Sequence, residues 1–190
     1  MPHERAHHLP RLSPEAYRGH CIVHWTMTIA GRATGWLDDS WHQKFRIQLN
    51  KQATDYDARI PVYCLMPDHL HLLVAGIATT CDQSLFIRAA RREINLLLRP
   101  HKLQKQPYDH VLRPSESGPD VFTTLVHYIA ENPVRAGLVS TPQLWHFTGA
   151  CVPELPTLDP RASDFRELWW EYWNKRVNQQ GKRTSSGSRT

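Results

Sequence analysis

Ile60 to Gly76 reads IPVYCLMPDHLHLLVAG, two apolar runs on either side of Met66, Pro67 and Asp68. Proline cannot donate to a strand ladder and aspartate favours tight reversals, so these three residues predict a hairpin turn between two strands. Successive side chains of a strand point to opposite faces, which sets His69 and His71 on one face and Leu70, Leu72 and Val74 on the other. Neutral imidazole is the commonest metal-binding side chain, and a strand fixes two ligands at i and i+2 more rigidly than a loop does. An isolated His-x-His also occurs on the wet face of a half-exposed strand, so the motif alone does not decide between a metal centre and a solvated surface.

The surrounding chain has 190 residues, 41% of them apolar, with seven Trp. That composition predicts a soluble, globular, single-domain protein with extensions and excludes a disordered chain. No apolar run reaches the ~18 residues of a membrane span, and MPHERAHHLPRL lacks the apolar segment of a secretory signal. The expectation is a cytoplasmic protein without a membrane partner. Cys21, Cys64, Cys81 and Cys151 contain no Cys-x-x-Cys pair, which points to reduced, mostly buried thiols rather than structural zinc or a disulfide framework. Positive charge is concentrated at the end: Asn174 to Thr190 carries Lys175, Arg176, Lys182, Arg183 and Arg189 with no acidic residue, the whole of the formal +5. With Gly, Ser, Gln and Thr between its cations, this basic tail (174–190) is expected to be flexible, either a nonspecific clamp on phosphates or a solubilising segment.

Residues 1–19 contain no periodicity and read as an irregular lead-in. His20 to Ala30, rich in β-branched and aromatic residues, predicts the first strand. Asp38, Asp39 and Ser40 offer caps for a helix over about 41–53, with Trp41, Phe45 and Leu49 on its apolar face. From Asp82 to His101, Phe86, Ala90, Ile94 and Leu97 recur at helical spacing. The other side of that helix is basic: Arg88, Arg92, Asn95, Arg99 and Lys102 fall in a stripe that Arg91 widens, either a solvated face or a seat for a phosphate backbone. Tyr108 to Arg113 predicts a short fourth strand, Pro114 to Pro119 a loop, and Asp120 the start of another helix. This order contains the split β-α-β-β-α-β unit of an α+β, ferredoxin-like fold: an antiparallel sheet with helices on one face and the other face open for function. A Pro- and Trp-rich extension (150–173) follows, with a short helix from Phe165 to Trp173. The stripe Phe165, Trp169, Trp173 is a packing surface or a stacking platform for single-stranded nucleic acid.

The helix DVFTTLVHYIAEN (120–132) carries Phe122, Leu125, Val126 and Ile129 on its apolar face. Tyr128 and Asn132, at i and i+4, share one side, so a phenol and an amide oxygen can reach the same small volume. Pro133 disfavours helical geometry at Asn132, making it the last residue of the helix, with a side chain free to turn toward a ligand. Taken alone, Tyr128 reads as a core-edge tyrosine rather than a nucleophile.

The hairpin YCLMPDHLHLLV followed by HYIAENPVRAGLV resembles the REP-associated tyrosine transposases, a branch of the HUH single-tyrosine transposases related to IS200. The two motifs match in order and separation, YDHVLR between them is similar to the family, and the likeness spans about Cys21 to Val139. It implies a domain over residues 20–149 that nicks and rejoins single-stranded hairpin DNA through a 5′-phosphotyrosine intermediate. On that resemblance Tyr128 is the nucleophile on a C-terminal helix, and His69, His71 and Asn132 bind a divalent ion, Mg2+ or Mn2+. Arg88, Arg91, Arg92, Arg99, Lys102, Lys175, Arg176, Lys182 and Arg183 are the candidate DNA contacts. No phosphate loop of the GxxxxGK type occurs, consistent with strand transfer that conserves phosphodiester energy and needs no nucleotide cofactor. A hairpin-binding relative that does not transpose, and a metal-dependent phosphoesterase that uses water, are the alternatives. The residues leave open whether the protein is a monomer or a homodimer.

Overall fold

The computed structural model describes residues 12–113 and 118–185, with side chains described to residue 177. Most of the lead-in, Arg189 and the side chains of Lys182 and Arg183 therefore lie outside the described residues. The central hairpin consists of β2 (Ala58–Leu65) and β3 (His69–Gly76), closed by a hydrogen bond from Met66 N to His69 O at 2.8 Å. β1 (Ile22–Thr28) pairs with the free side of β3. β4 (Tyr108–Val111) and β5 (Thr148–Cys151) complete an antiparallel sheet of order β4-β1-β3-β2-β5. Pro61 sits inside the interior strand β2, where proline is normally excluded. The register slips there against both neighbours, between Arg59 and Val62 on one side and Ile60 and Tyr63 on the other. A residue without an N–H costs the ladder least at such a bulge, and the bulge also explains why Ile60 and Val62, two apart, enter opposite core layers.

α1 (Asp39–Asp55) and α2 (Gln83–Leu97) cover one face. Their starts are fixed by side-chain caps: Asp38 accepts from Trp41 N, and Asp82 accepts from Ser84 N and Leu85 N. Phe45 and Leu49 of α1 and Phe86 and Ile94 of α2 bury against Trp25, Met27, Leu70, Leu72 and Val74 of the sheet. These are the strand residues that alternate away from the histidines.

The opposite face is open only in part, whereas helices were expected on one face only. α3 (Pro119–Ala130) and α5 (Phe165–Ser185) lay Phe122, Val126, Ile129, Phe165 and Trp169 over Ile22, Val62, Cys64, Leu73 and Ala75. Phe122 stacks on Trp169 with centroids 5.5 Å apart and planes 8° from parallel. Fully buried rings of this size contribute on the order of 2–3 kcal/mol each, so the 150–173 segment is part of the core rather than an appendage. The short aromatic helix expected to stop at Trp173 continues to Ser185, making most of the supposed flexible tail helical. A partly buried cluster anchors it: Arg59 donates to Glu154 at 2.6 and 2.8 Å and to Tyr172 Oη at 3.1 Å, and Arg176 donates to Glu154 at 2.5 Å. Burial opposes ionisation of Glu154, but the Arg59 hydrogen bonds hold its carboxyl down at about 2.

α4 (Asn132–Arg135) follows α3 across a break at Glu131. Asn132 opens this short helix rather than ending the previous one, because Pro133 fits the first turn, where its missing N–H is no loss. Gly137, at φ 68°, then reverses the chain in the left-handed region that glycine adopts without strain. Among the described residues no helix is long and apolar enough to cross a membrane.

Candidate active site

His69 and His71 point to the same side of β3, with their Nε2 atoms 3.1 Å apart. Each ring is held from behind through its other nitrogen. His69 Nδ1 lies 2.6 Å from Asp68 Oδ1, and Arg32 donates to the other Asp68 oxygen at 2.6 Å. Burial works against ionisation of Asp68, yet the hydrogen bonds from His69 and Arg32 keep its carboxyl below the usual range. His71 Nδ1 lies 3.1 Å from both Thr26 Oγ1 and His24 Nε2 on β1. Burial, followed by the charges of His24, His69 and Arg135, pushes His71 down to about 3; burial and then His110 push His24 down to about 4. His71 is a neutral imidazole at physiological pH, the form that donates a lone pair to a metal.

Two ring nitrogens at 3.1 Å share either a proton or a cation, since two lone pairs cannot face each other uncompensated. With Nδ1 of His69 turned to a carboxylate, Nε2 is left as the donor, the arrangement in which a carboxylate orients a metal-binding histidine. The donor set therefore fits a divalent ion. Cys64, the register partner of His71, does not join it: burial pushes its thiol up to about 11, and Thr148 donates to its sulfur. Among the described residues no group of three or more His, Cys, Asp or Glu side chains converges as a metal cage.

The candidate nucleophile Tyr128 and candidate ligand Asn132 lie on the α3–α4 corner. Val126 and Ile129 bury in the same layer as Cys64, which brings α3 onto the histidine face of the sheet. Tyr128 projects from that helix with 52% of its surface exposed, available to a large substrate. Arg135, which the sequence reading passed over, organises the corner. Its guanidinium carbon lies 3.8 Å from the Tyr128 ring centre, and it donates to Tyr128 O at 2.7 Å and Asn132 Oδ1 at 2.9 Å. Arg135 thus spans the Tyr128 ring and the Asn132 carboxamide. The Asn132 amide nitrogen donates to Ile129 O, so its carboxamide is held locally and not against the imidazoles. The signal in sequence was the NPVRAG run, which sets a cation three residues after the Asn and seven after the Tyr.

Among solved structures, that of a REP-associated tyrosine transposase bound to a REP hairpin is similar to this chain over 74% of its length and 81% of the other's, with 22% identity and a TM-score of 0.61. The fold is that of the REP-associated tyrosine transposase. A bacterial tRNA(His) guanylyltransferase-like protein in complex with GTP matches with 12% identity over 63% of this chain and 69% of its own, at a TM-score of 0.37, and carries no argument. No protein-family model and no curated protein matches the sequence.

Within this transposase fold the basic stripe does not lie beside the histidines. α2 packs on the face carrying Leu70, Leu72 and Val74, so the sheet separates it from His69 and His71. Nor is the stripe continuous: α2 ends at Leu97, which takes Arg99 and Lys102 off the helix. Asn95 is used to accept from Leu103 N, Arg91 donates to Gln104 O and Lys105 O, and Arg92 pairs with Glu93. Arg88 lines a cleft of about 520 Å³ together with Arg91 and Lys105. The Lys102 backbone connects to the hairpin turn: its carbonyl accepts from Ala30 N, next to Ile29, whose own N–H donates to Asp68 O. In the tail, Lys175 pairs with Glu171 and Arg176 belongs to the Glu154 cluster.

Proposed function

We propose that the chain is a DNA-nicking and strand-transfer enzyme that acts on single-stranded DNA beside a hairpin, with Tyr128 as nucleophile and His69 and His71 as the centre of a divalent metal site. The observation that carries this reading is the pair of Nε2 atoms 3.1 Å apart, each ring oriented from behind, on the sheet face that the Tyr128 helix covers. The similar solved structure, a tyrosine transposase bound to a REP hairpin, supports DNA of that shape as the partner.

Mg2+ or Mn2+ would supply neutralisation of phosphate oxygens and orientation of the scissile bond. The protein's own part begins with Asp68 and Thr26, which hold the His69 and His71 rings through their Nδ1 atoms and leave the two Nε2 atoms facing each other. Asn132 would join them by exchanging its Arg135 hydrogen bond for the ion. Tyr128 Oη attacks phosphorus; the new O–P bond forms as the bond to the 3′ oxygen breaks, the phenolic proton leaves, and the 3′ oxygen is protonated. The ester so formed keeps the phosphodiester energy, and attack by a 3′ hydroxyl reverses it. Arg135 holds the ring in place while the exposed phenol meets DNA.

Engagement of Asn132 by Arg135 favours a second reading, a hairpin-binding protein that does not cut. One experiment separates them. A DNA hairpin with single-stranded flanks, labelled on the 3′ side of the cut and incubated with the protein and Mn2+, should yield a denaturation-resistant protein–DNA complex. Binding without any such complex would support the second reading, and release of cut DNA without attachment would support a water-using phosphoesterase.

A further inference from the structure

Thr26 of β1 is the register partner of His71 on β3 and of Tyr108 on β4. Partners across antiparallel strands point to the same face, and the contact of Thr26 Oγ1 with His71 Nδ1 identifies that face as the one bearing the candidate metal site. Tyr108 therefore stands in line with His71, two strand spacings or about 10 Å away. His110, the partner of His24, flanks it.

The helical layer over this face does not extend so far. It buries Ile22, Val62, Cys64, Leu73 and Ala75, whereas His24, Thr26 and Thr28 of β1 are half-buried and Tyr108 and His110 of the outer strand β4 are exposed. Tyr108 is 53% exposed, and its neighbours on this face are hydroxyls and imidazoles, so the ring does not cap a core. Arg32 and Lys102 bring positive charge to the same end of the sheet. We infer that Tyr108 is a stacking platform for one unpaired base of single-stranded DNA whose backbone crosses His69 and His71. An exposed aromatic face takes any base, whereas the polar row between it and the histidines suits the sugar and phosphates. The inference rests on the strand-transfer reading and adds to it where the strand lies and what holds the base next to the cut.

The test measures affinity of the full chain for a DNA hairpin carrying a single-stranded flank of about ten nucleotides, each flank position made abasic in turn. Wild-type protein should lose about tenfold at one position near the cut, the size of one base stack. Tyr108→Ala should show that loss on the intact flank and no further loss at that position, while Tyr108→Phe behaves as the wild type. Should Tyr108→Ala fail to fold, Tyr108→Leu keeps the bulk without the π face and carries the same expectation. Equal affinity of wild type and variant for the intact flank, or the same abasic profile in both, overturns the platform. If that happens while the covalent complex still forms, the platform alone has failed; if the wild type neither binds nor joins the hairpin, the strand-transfer reading falls and takes the platform with it.

Discussion

The guanidinium of Arg135 lies over the ring of Tyr128, 3.8 Å from its centre, and hydrogen-bonds the carboxamide of Asn132 at 2.9 Å. One cation therefore orients both the proposed nucleophile and the proposed third ligand, and its charge also reaches His71. A cation–π contact at an exposed site is worth on the order of 1 kcal/mol, which in a barrier is several-fold to tenfold. Arg135→Ala should slow formation of the covalent complex by about tenfold while DNA affinity changes little. Single-turnover kinetics at saturating hairpin checks this; an unchanged rate would reduce Arg135 to a helix clasp.

Metal affinity should depend on Asp68 although it touches no metal itself. Removing a carboxylate that orients a histidine ligand typically costs about 10–100-fold. Asp68→Asn should weaken Mn2+ binding by that order in calorimetric titration, and His69→Ala and His71→Ala by more. Wild-type affinity in the two histidine variants would remove the metal site.

The hairpin and the histidine pair were legible because a strand's two-residue period and a Pro-Asp turn are local properties. The caps at Asp38 and Asp82 were legible for the same reason. What covers the second sheet face was not: Phe122 meets Trp169 across 47 positions of chain, and nothing local distinguishes an aromatic stripe that packs from one that stacks on bases. The end of α5 is not legible locally, because Gly181 and the polar residues after Trp173 signal a loop, whereas the Glu154 cluster anchors the preceding turns as helix. The placement of α2 behind the histidines follows from the same strand period, which sets Leu70, Leu72 and Val74 on the side opposite them. Arg135 needed the α3–α4 break to come within reach of Tyr128.

Acid should loosen the C-terminal helix. The folded Glu154 carboxyl, at about 2, lies below its ordinary 4.5, so its contribution to stability is present above pH 4.5 and is lost as the pH falls toward 2. Glu154→Gln should lower the melting temperature at pH 7 and flatten the decline between pH 4.5 and 2. A variant with the wild-type acid limb would mean that another carboxylate sets it.

Salt dependence should locate the phosphate contacts. If Lys102 neutralises one phosphate, Lys102→Gln lowers the slope of log affinity against log salt by about one. Arg176→Gln should instead destabilise the fold, because its guanidinium is committed to Glu154. The reverse pattern would place the DNA along α5 and away from the hairpin turn.

The central claim is that Tyr128 becomes covalently joined to DNA, and the most direct measurement is peptide mass spectrometry of the complex formed with hairpin DNA and Mn2+, run beside Tyr128→Phe. The phenol is exposed and its removal deletes one oxygen, so the variant should fold with a loss of at most about 1 kcal/mol and still bind the hairpin. The account predicts a nucleotide attached to the peptide containing Tyr128 in the wild type and no covalent complex in the variant. A DNA adduct on any other residue, or an undiminished adduct in Tyr128→Phe, would contradict it.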